Sequence, residues 1–143
     1  MVKPIPDGYH TVTPYLTVSD AAKLLDFVKA AFNAKVSEEL KDDEGNIRHA
    51  EVVIGDSHVM VGQAGGEWTP RPATLYLYVE DTDETYRRAM DAGATSLMEP
   101  ADQFYGDRNG GVQDELGNWW YVATRVEDVS LDEMQRRMAA RGK

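Results

Sequence analysis

The sequence predicts an α+β protein made of two βαβββ modules whose strands form curved, mixed sheets. Three observations lead there. Residues Thr13-Pro14-Tyr15-Leu16-Thr17-Val18-Ser19-Asp20 return as Thr74-Leu75-Tyr76-Leu77-Tyr78-Val79-Glu80-Asp81, an offset of 74 − 13 = 61 positions. Self-similarity at a fixed spacing marks duplicated units. Each copy runs from alternating residues straight into a helical pattern, and three short strand-like runs follow in each half. With 143 residues, the chain suits one domain or two small modules sharing a core.

The first module covers about residues 9–63. His10 to Val18 alternates, with Val12, Pro14, Leu16 and Val18 on one face and Thr11, Thr13, Tyr15 and Thr17 on the other. Pro14 has no N–H to give, which predicts an edge or bulge there. Ser19 or Asp20 caps a helix whose apolar stripe is Leu24, Phe27, Val28, Ala31 and Phe32. Lys35 to Leu40, Ile47 to Ile54 and His58 to Gln63 read as strands, separated by Asp43-Glu44-Gly45-Asn46 and Gly55-Asp56. Residues 64–72, rich in Gly and Pro, read as a linker.

The second module covers about residues 73–124. Its first strand is Ala73 to Val79, and Asp81-x-x-Glu84 opens its helix. Tyr86, Ala89 and Met90 form the stripe, and Gly93 fits the stop. Thr95 to Met98, about Gly111 to Asp114, and Asn118 to Thr124 are the remaining strands. Tyr105 to Gly111 reads as a loop over the mouth of the sheet. Ser130-x-x-Glu133 opens a last helix over about residues 130–141.

Composition narrows the functional classes. Hydrophobic residues make up 42% and charged residues 28%, which is ordinary globular usage. No apolar run approaches the ~20 residues of a membrane helix, so no membrane association is expected. The first ten residues lack the pattern of a secretory signal. There is no cysteine, which excludes disulfides, thiol nucleophiles and Cys-based zinc sites. Together these features predict a cytoplasmic protein. A net charge of −10 disfavours nucleic acid and favours a cationic ligand.

Paired βαβββ modules with Val-x-Asp closing the first strand of each resemble the vicinal oxygen chelate superfamily. That superfamily holds glyoxalase I, bleomycin-resistance proteins and extradiol dioxygenases. Two stretches narrow the resemblance, His49-Ala50-Glu51-Val52-Val53-Ile54-Gly55-Asp56-Ser57, and Phe104 to Arg108 leading into Gly111-Val112-Gln113-Asp114-Glu115-Leu116-Gly117-Asn118-Trp119-Trp120. With the tail Ala123 to Ser130, they are similar to the glyoxalase-like branch often associated with phosphonate operons. The resemblance implies the glyoxalase/bleomycin-resistance fold for residues 1–143 as one domain. It implies no single activity, because one fold hosts many chemistries.

Metal-dependent members of that superfamily draw two ligands from each module. The resemblance puts these positions at Thr13 and Thr74 on the first strands, near Val59 or Met60, and near Tyr121. Hydroxyl and thioether groups are poor ligands for Zn²⁺, Ni²⁺ or Fe²⁺. No metal or other cofactor is therefore expected at the inherited site. His49 and Glu51 share a strand face. They are either two-thirds of a displaced site, which makes a divalent metal and a lyase or dioxygenase reaction the alternative, or a polar pair on an open sheet. His10 and His58 read as surface residues. The resemblance implies a cup lined by Thr13, Tyr15, Thr74, Tyr76, Trp119 and Tyr121, which suits a small organic molecule. Arg108 either clamps an anionic group of that molecule or pairs with Asp107 or Glu127. Trp68 either packs on the core or marks a partner surface. A homodimer that completes the cup is the expected assembly.

Overall fold

A computed structural model describes residues 2–141. The element order is β1 (Tyr15–Val18), α1 (Ala21–Phe32), β2 (Lys35–Lys41), β3 (Ile47–Ile54), β4 (Ser57–Gln63), β5 (Thr74–Tyr78), α2 (Thr82–Asp91), β6 (Thr95–Asp102), β7 (Asp107–Gln113), β8 (Trp119–Arg125) and α3 (Leu131–Arg141). Two four-stranded sheets result, ordered β1-β4-β3-β2 and β5-β8-β7-β6. In each, the first strand lies parallel to the last and the other pairs are antiparallel. The sheets are mixed and the topologies are the same, as the 61-residue repeat predicts.

The repeat explains how each module is locked. Asp20 Oδ1 accepts from Lys23 N at 3.1 Å, and Asp81 Oδ1 accepts from Glu84 N at 3.1 Å, so each Val-x-Asp supplies the helix cap. Gln63 ends β4. Its Oε1 accepts from Ala21 N at 2.9 Å, and its Nε2 donates to Ser19 O at 2.7 Å. The matching position is 63 + 61 = 124. There the Thr124 hydroxyl donates to Val79 O at 2.8 Å and lies 2.9 Å from the Thr82 hydroxyl. Different side chains thus tie the last strand of each module to its helix entry.

The two helices are unequal. α1 buries Ala21, Leu24, Leu25, Phe27, Val28, Ala31 and Phe32 against the first sheet, whereas α2 buries only Thr82 and Ala89. Trp120 on β8 is fully buried and reaches across to α1, with ring centroids 5.0 Å from Phe32 and 6.3 Å from Phe27. One apolar cluster therefore joins both modules. A polar staple holds Trp120 in place. Asp114 accepts from Trp120 Nε1 at 2.7 Å, from Asn118 N and Nδ2 at 3.0 Å each, and from Leu116 N at 2.8 Å.

Several boundaries differ from the sequence reading. β1 begins at Tyr15, because Pro14 cannot donate; its carbonyl still accepts from Met60 N at 2.9 Å. Val12 lies outside the strand and is exposed. β6 extends through Pro100 to Asp102, since a sheet edge tolerates proline. The largest correction concerns residues 105–111. They do not form a loop over the cup, because β7 starts at Asp107 and runs through Gly110 and Gly111. Among the described residues no helix is long and apolar enough to cross a membrane.

Candidate functional site

Strand register assigns each side chain to a face, because residues paired across a ladder share one. On the second sheet, Thr74 pairs with Trp119, Tyr76 with Tyr121 and Tyr78 with Ala123. Asp107, Asn109, Gly111 and Gln113 continue the same face across β7. This is the face opposite Trp120 and Val122, which are buried toward the helices. It carries aromatic rings in contact, with Tyr76 centred 5.4 Å from Tyr78 and 6.1 Å from Tyr121. Tyr76, Tyr78 and Trp119 are 43%, 61% and 41% exposed, so the rings meet solvent edge-on or face-on rather than filling a core.

A buried polar network fixes these rings. Asp107 is nearly inaccessible, and its Oδ2 accepts from the hydroxyls of Tyr76 at 2.7 Å and Tyr78 at 2.9 Å. Arg125 Nε donates to its Oδ1 at 3.1 Å, which pairs the buried charge. Asn109 Nδ2 donates to the Tyr76 hydroxyl at 3.0 Å and to the Tyr105 hydroxyl at 2.7 Å. Its Oδ1 is buried without a donor in the described residues. Burial pushes the Tyr76 phenol above the usual tyrosine range; donation from Asn109 opposes this, and the bond to Asp107 reinforces it. Tyr76 therefore stays neutral near pH 7, a hydrogen-bonding wall rather than a base.

The first sheet repeats the geometry with other side chains. Tyr15 pairs with Met60, Thr17 and His49 with Gly62, and Glu51 with Met60. Tyr15 lies over Gly62, with its ring centred 5.8 Å from His49. Met60, not Val59, shares the face of Tyr15, and it matches Tyr121 at the repeat offset, 60 + 61 = 121. Thr13 precedes β1 and is half-buried. The four positions to which the resemblance points, Thr13, Met60, Thr74 and Tyr121, carry two hydroxyls, a thioether and a phenol, which are poor ligands for a divalent cation. Among the described residues no three histidine, aspartate or glutamate side chains converge in a metal-binding group. The carboxylate of Glu51 accepts the hydroxyl of Tyr9 instead.

Two residues depart from their expected settings. Arg108 sits in β7 on the face opposite Asp107. It donates to Asp83 on α2 at 3.1 Å and to Asp102 at 3.2 Å, rather than pairing with Asp107 or Glu127. Both partners hold it on the helix side. His58 is not a simple surface residue, since Tyr9 stacks on it at 4.0 Å and its Nδ1 is buried. His10 is exposed, and Trp68 is 75% exposed in the linker. The sequence reading puts Tyr105, Asp107 and Asn109 in a loop and assigns neither them nor Arg125 to the lining of this face. Residues 105–111 carry no apolar alternation, so periodicity gives no signal for them. A groove of about 800 Å³ also runs along β5 between the modules, lined by Phe32, Val59, Leu75, Leu77, Arg88 and Trp120 among others.

Comparison with known proteins agrees with this architecture. Residues 9–122 match the model of the glyoxalase/bleomycin resistance protein/dioxygenase superfamily. An uncharacterised protein of Mycobacterium bovis is 34% identical over 142 residues, spanning 92% of this chain and 93% of that protein. Among solved structures, TioX from a Micromonospora species superposes with a TM-score of 0.71 at 24% identity, covering 82% of this chain and 99% of its own. A PhnB protein from Bacillus cereus gives 0.63 at 19% identity, covering 80% and 99%. The duplicated topology and the family match carry one conclusion: the chain belongs to the glyoxalase/bleomycin resistance protein/dioxygenase superfamily.

Proposed function

We propose that this protein binds a small planar organic molecule on the concave aromatic face and does so without a metal cofactor. One observation carries the reading. The exposed rings of Tyr76 and Tyr78 are pinned by the buried carboxylate of Asp107, next to Trp119 and Tyr121. Rings fixed before binding lose little freedom when a ligand stacks on them, and each stacked pair adds about 0.5–1.5 kcal/mol. Thr74 supplies a polar group at the rim. Thr13 and Tyr15 would contribute from the first module. Arg108, held on the helix side, is left out of this surface.

A second copy of the chain closes the cup. Tyr78, Trp68 and Val12 are exposed by 61%, 75% and 80%, and β5 has an open edge. Burying them against a copy with C₂ symmetry removes apolar surface from water. A cytoplasmic location fits the absence of cysteine. Light scattering at micromolar concentration should give the dimer mass, and a monomer mass rejects this part of the reading.

The binding claim is tested with a panel of planar aromatic amines, followed by tryptophan fluorescence and titration calorimetry. At least one should bind, and Trp119→Ala should weaken it by about tenfold, the loss of one stacking partner. A panel without a single binder, or a Trp119→Ala protein with unchanged affinity, defeats the proposal. Chelator should leave the unfolding temperature unchanged, since no metal-binding energy is removed. Retention of about one equivalent of Ni²⁺, Zn²⁺ or Fe²⁺ through chelator dialysis favours the alternative, a metal-dependent lyase or dioxygenase using His49 and Glu51.

A further inference from the structure

We propose that the concave face of the first sheet binds phenols carrying a cationic group, and that the chain's own Tyr9 fills this site until such a ligand displaces it. The inference rests on the binding role proposed above and extends it to a defined ligand class at the other half of the surface.

Tyr9 behaves as a tethered ligand. Residues 2–12 form neither helix nor strand, and Tyr9 is the only one of them not exposed. Among the described residues, its hydroxyl makes the one hydrogen bond that joins this arm to the rest of the protein. The acceptor is the Glu51 carboxylate, and the ring stacks on His58 with a centroid distance of 4.0 Å and an interplanar angle of 20°. A turn brings it there, with Tyr9 N donating to Pro6 O at 3.1 Å. Gly8, at φ +85°, passes so close that a Cβ would stand 3.1 Å from His58 Nε2. The bond to Glu51 raises the Tyr9 phenol to about 12, so it stays a neutral donor across the ordinary pH range. A phenol is therefore the group these side chains already grip.

Charge selects the second feature. Glu38 lies directly opposite Glu51 in the β2–β3 ladder, a like-charge pairing that is unfavourable. Among the described residues neither carboxylate is in an ion pair. Tyr9 is uncharged and leaves that repulsion in place. A phenol with an ammonium group at the far end of its ring adds a longer-range attraction to both carboxylates, an advantage that the neutral arm lacks. The buried, unpaired Nδ1 of His58 is a further polar group beneath the ring.

Tyramine is the probe and 4-hydroxyphenylacetate its anionic control, titrated calorimetrically at pH 7 into the full chain and the variants. Tyr9→Ala should bind tyramine at least tenfold tighter than the parent protein, because the tethered competitor is gone. It should prefer tyramine over the control by at least tenfold, and Glu51→Gln in that background should remove most of the preference. Tyr9→Phe keeps the stacked ring and loses only the hydroxyl; it should strengthen binding less than Tyr9→Ala, and it replaces that variant if folding fails. No strengthening in either variant, or equal affinity for the two probes, overturns the inference. So does loss of tyramine binding on Trp119→Phe, which would place the site on the second sheet. Tyramine binding that survives Trp119→Phe, in a protein that takes no aromatic amine at Trp119, upholds the inference and rejects only the second-sheet site.

Discussion

Gly62 and Gly111 shape the two sheet faces that point away from the helices by what they lack. A Cβ on Gly111 would stand 2.9 Å from Cε1 and 3.0 Å from Cδ1 of Tyr121, whose ring is half-buried beside Tyr76. A Cβ on Gly62 would meet the Tyr15 hydroxyl at 2.5 Å, but that side chain is 55% exposed and free to swing outward. Gly111→Ala should therefore cost about 1–3 kcal/mol, within the overpacking range, and Gly62→Ala distinctly less. Urea unfolding of both variants measures the difference, and equal losses contradict the account. The same Gly110-Gly111 pair made this segment look like a loop. It is strand because it pairs with β6 on one side and β8 on the other, and it is glycine because neighbouring side chains, among them tyrosine and proline, occupy the space that two Cβ atoms would need.

At the scale of elements, α3 is the least secured. It buries no residue. Its link to the body runs through Arg137, which donates to Phe104 O at 3.0 Å and to both carboxylate oxygens of Glu127 at 2.9 Å. Within the helix Arg137 also pairs with Glu133 at 3.1 Å, and Arg141 lies over the Phe104 ring at 4.7 Å. The guanidinium of Arg137 holds Glu127 below the usual carboxylate range; Arg136, then Arg137, do the same for Glu133. A lowered folded pKa contributes stability that is complete above the unfolded value and is lost as pH falls through the folded one. Docking of α3 should thus hold at pH 7 and weaken below about pH 4. Hydrogen exchange should show α3 amides losing protection in acid, and at pH 7 in Arg137→Ala, while β3 and β4 stay protected. Simultaneous loss across the sheets contradicts this.

At the scale of the whole molecule, the modules share one core rather than two. Trp120 of the second sheet packs on Phe27 and Phe32 of the first module's helix. Asp114 orients its indole, so the Asp114-to-Trp120 stretch that carries the family resemblance acts here as a structural clamp. Trp120→Ala should cost roughly 3–5 kcal/mol. Because the cluster spans both halves, thermal unfolding should remain a single transition in both proteins. Two resolved transitions by calorimetry would show the modules to be independent.

The duplicated architecture was legible because its signals are local and occur twice. Val-x-Asp ends a strand and caps a helix in each module, and Asp20 and Asp81 do this with the same bond length. The aromatic face was legible for the same reason, since alternation alone puts Thr74, Tyr76 and Tyr78 on one side. The lining of that face was not. Asp107 and Asn109 sit among glycines that carry no hydrophobic alternation, so period gave no sign of a strand. Their tyrosine partners on β5, Tyr78 and Tyr76, lie 29 to 33 positions away, and such contacts exist only once β7 is set in register with β8 and β5. The contact between Tyr9 and Glu51, 42 positions apart, likewise depends on how the arm crosses β3 and β4. Local patterning determined which elements form and which face each residue takes. Long-range register alone decided which polar groups meet there, because charge and hydrogen-bond partners are set by distance in space.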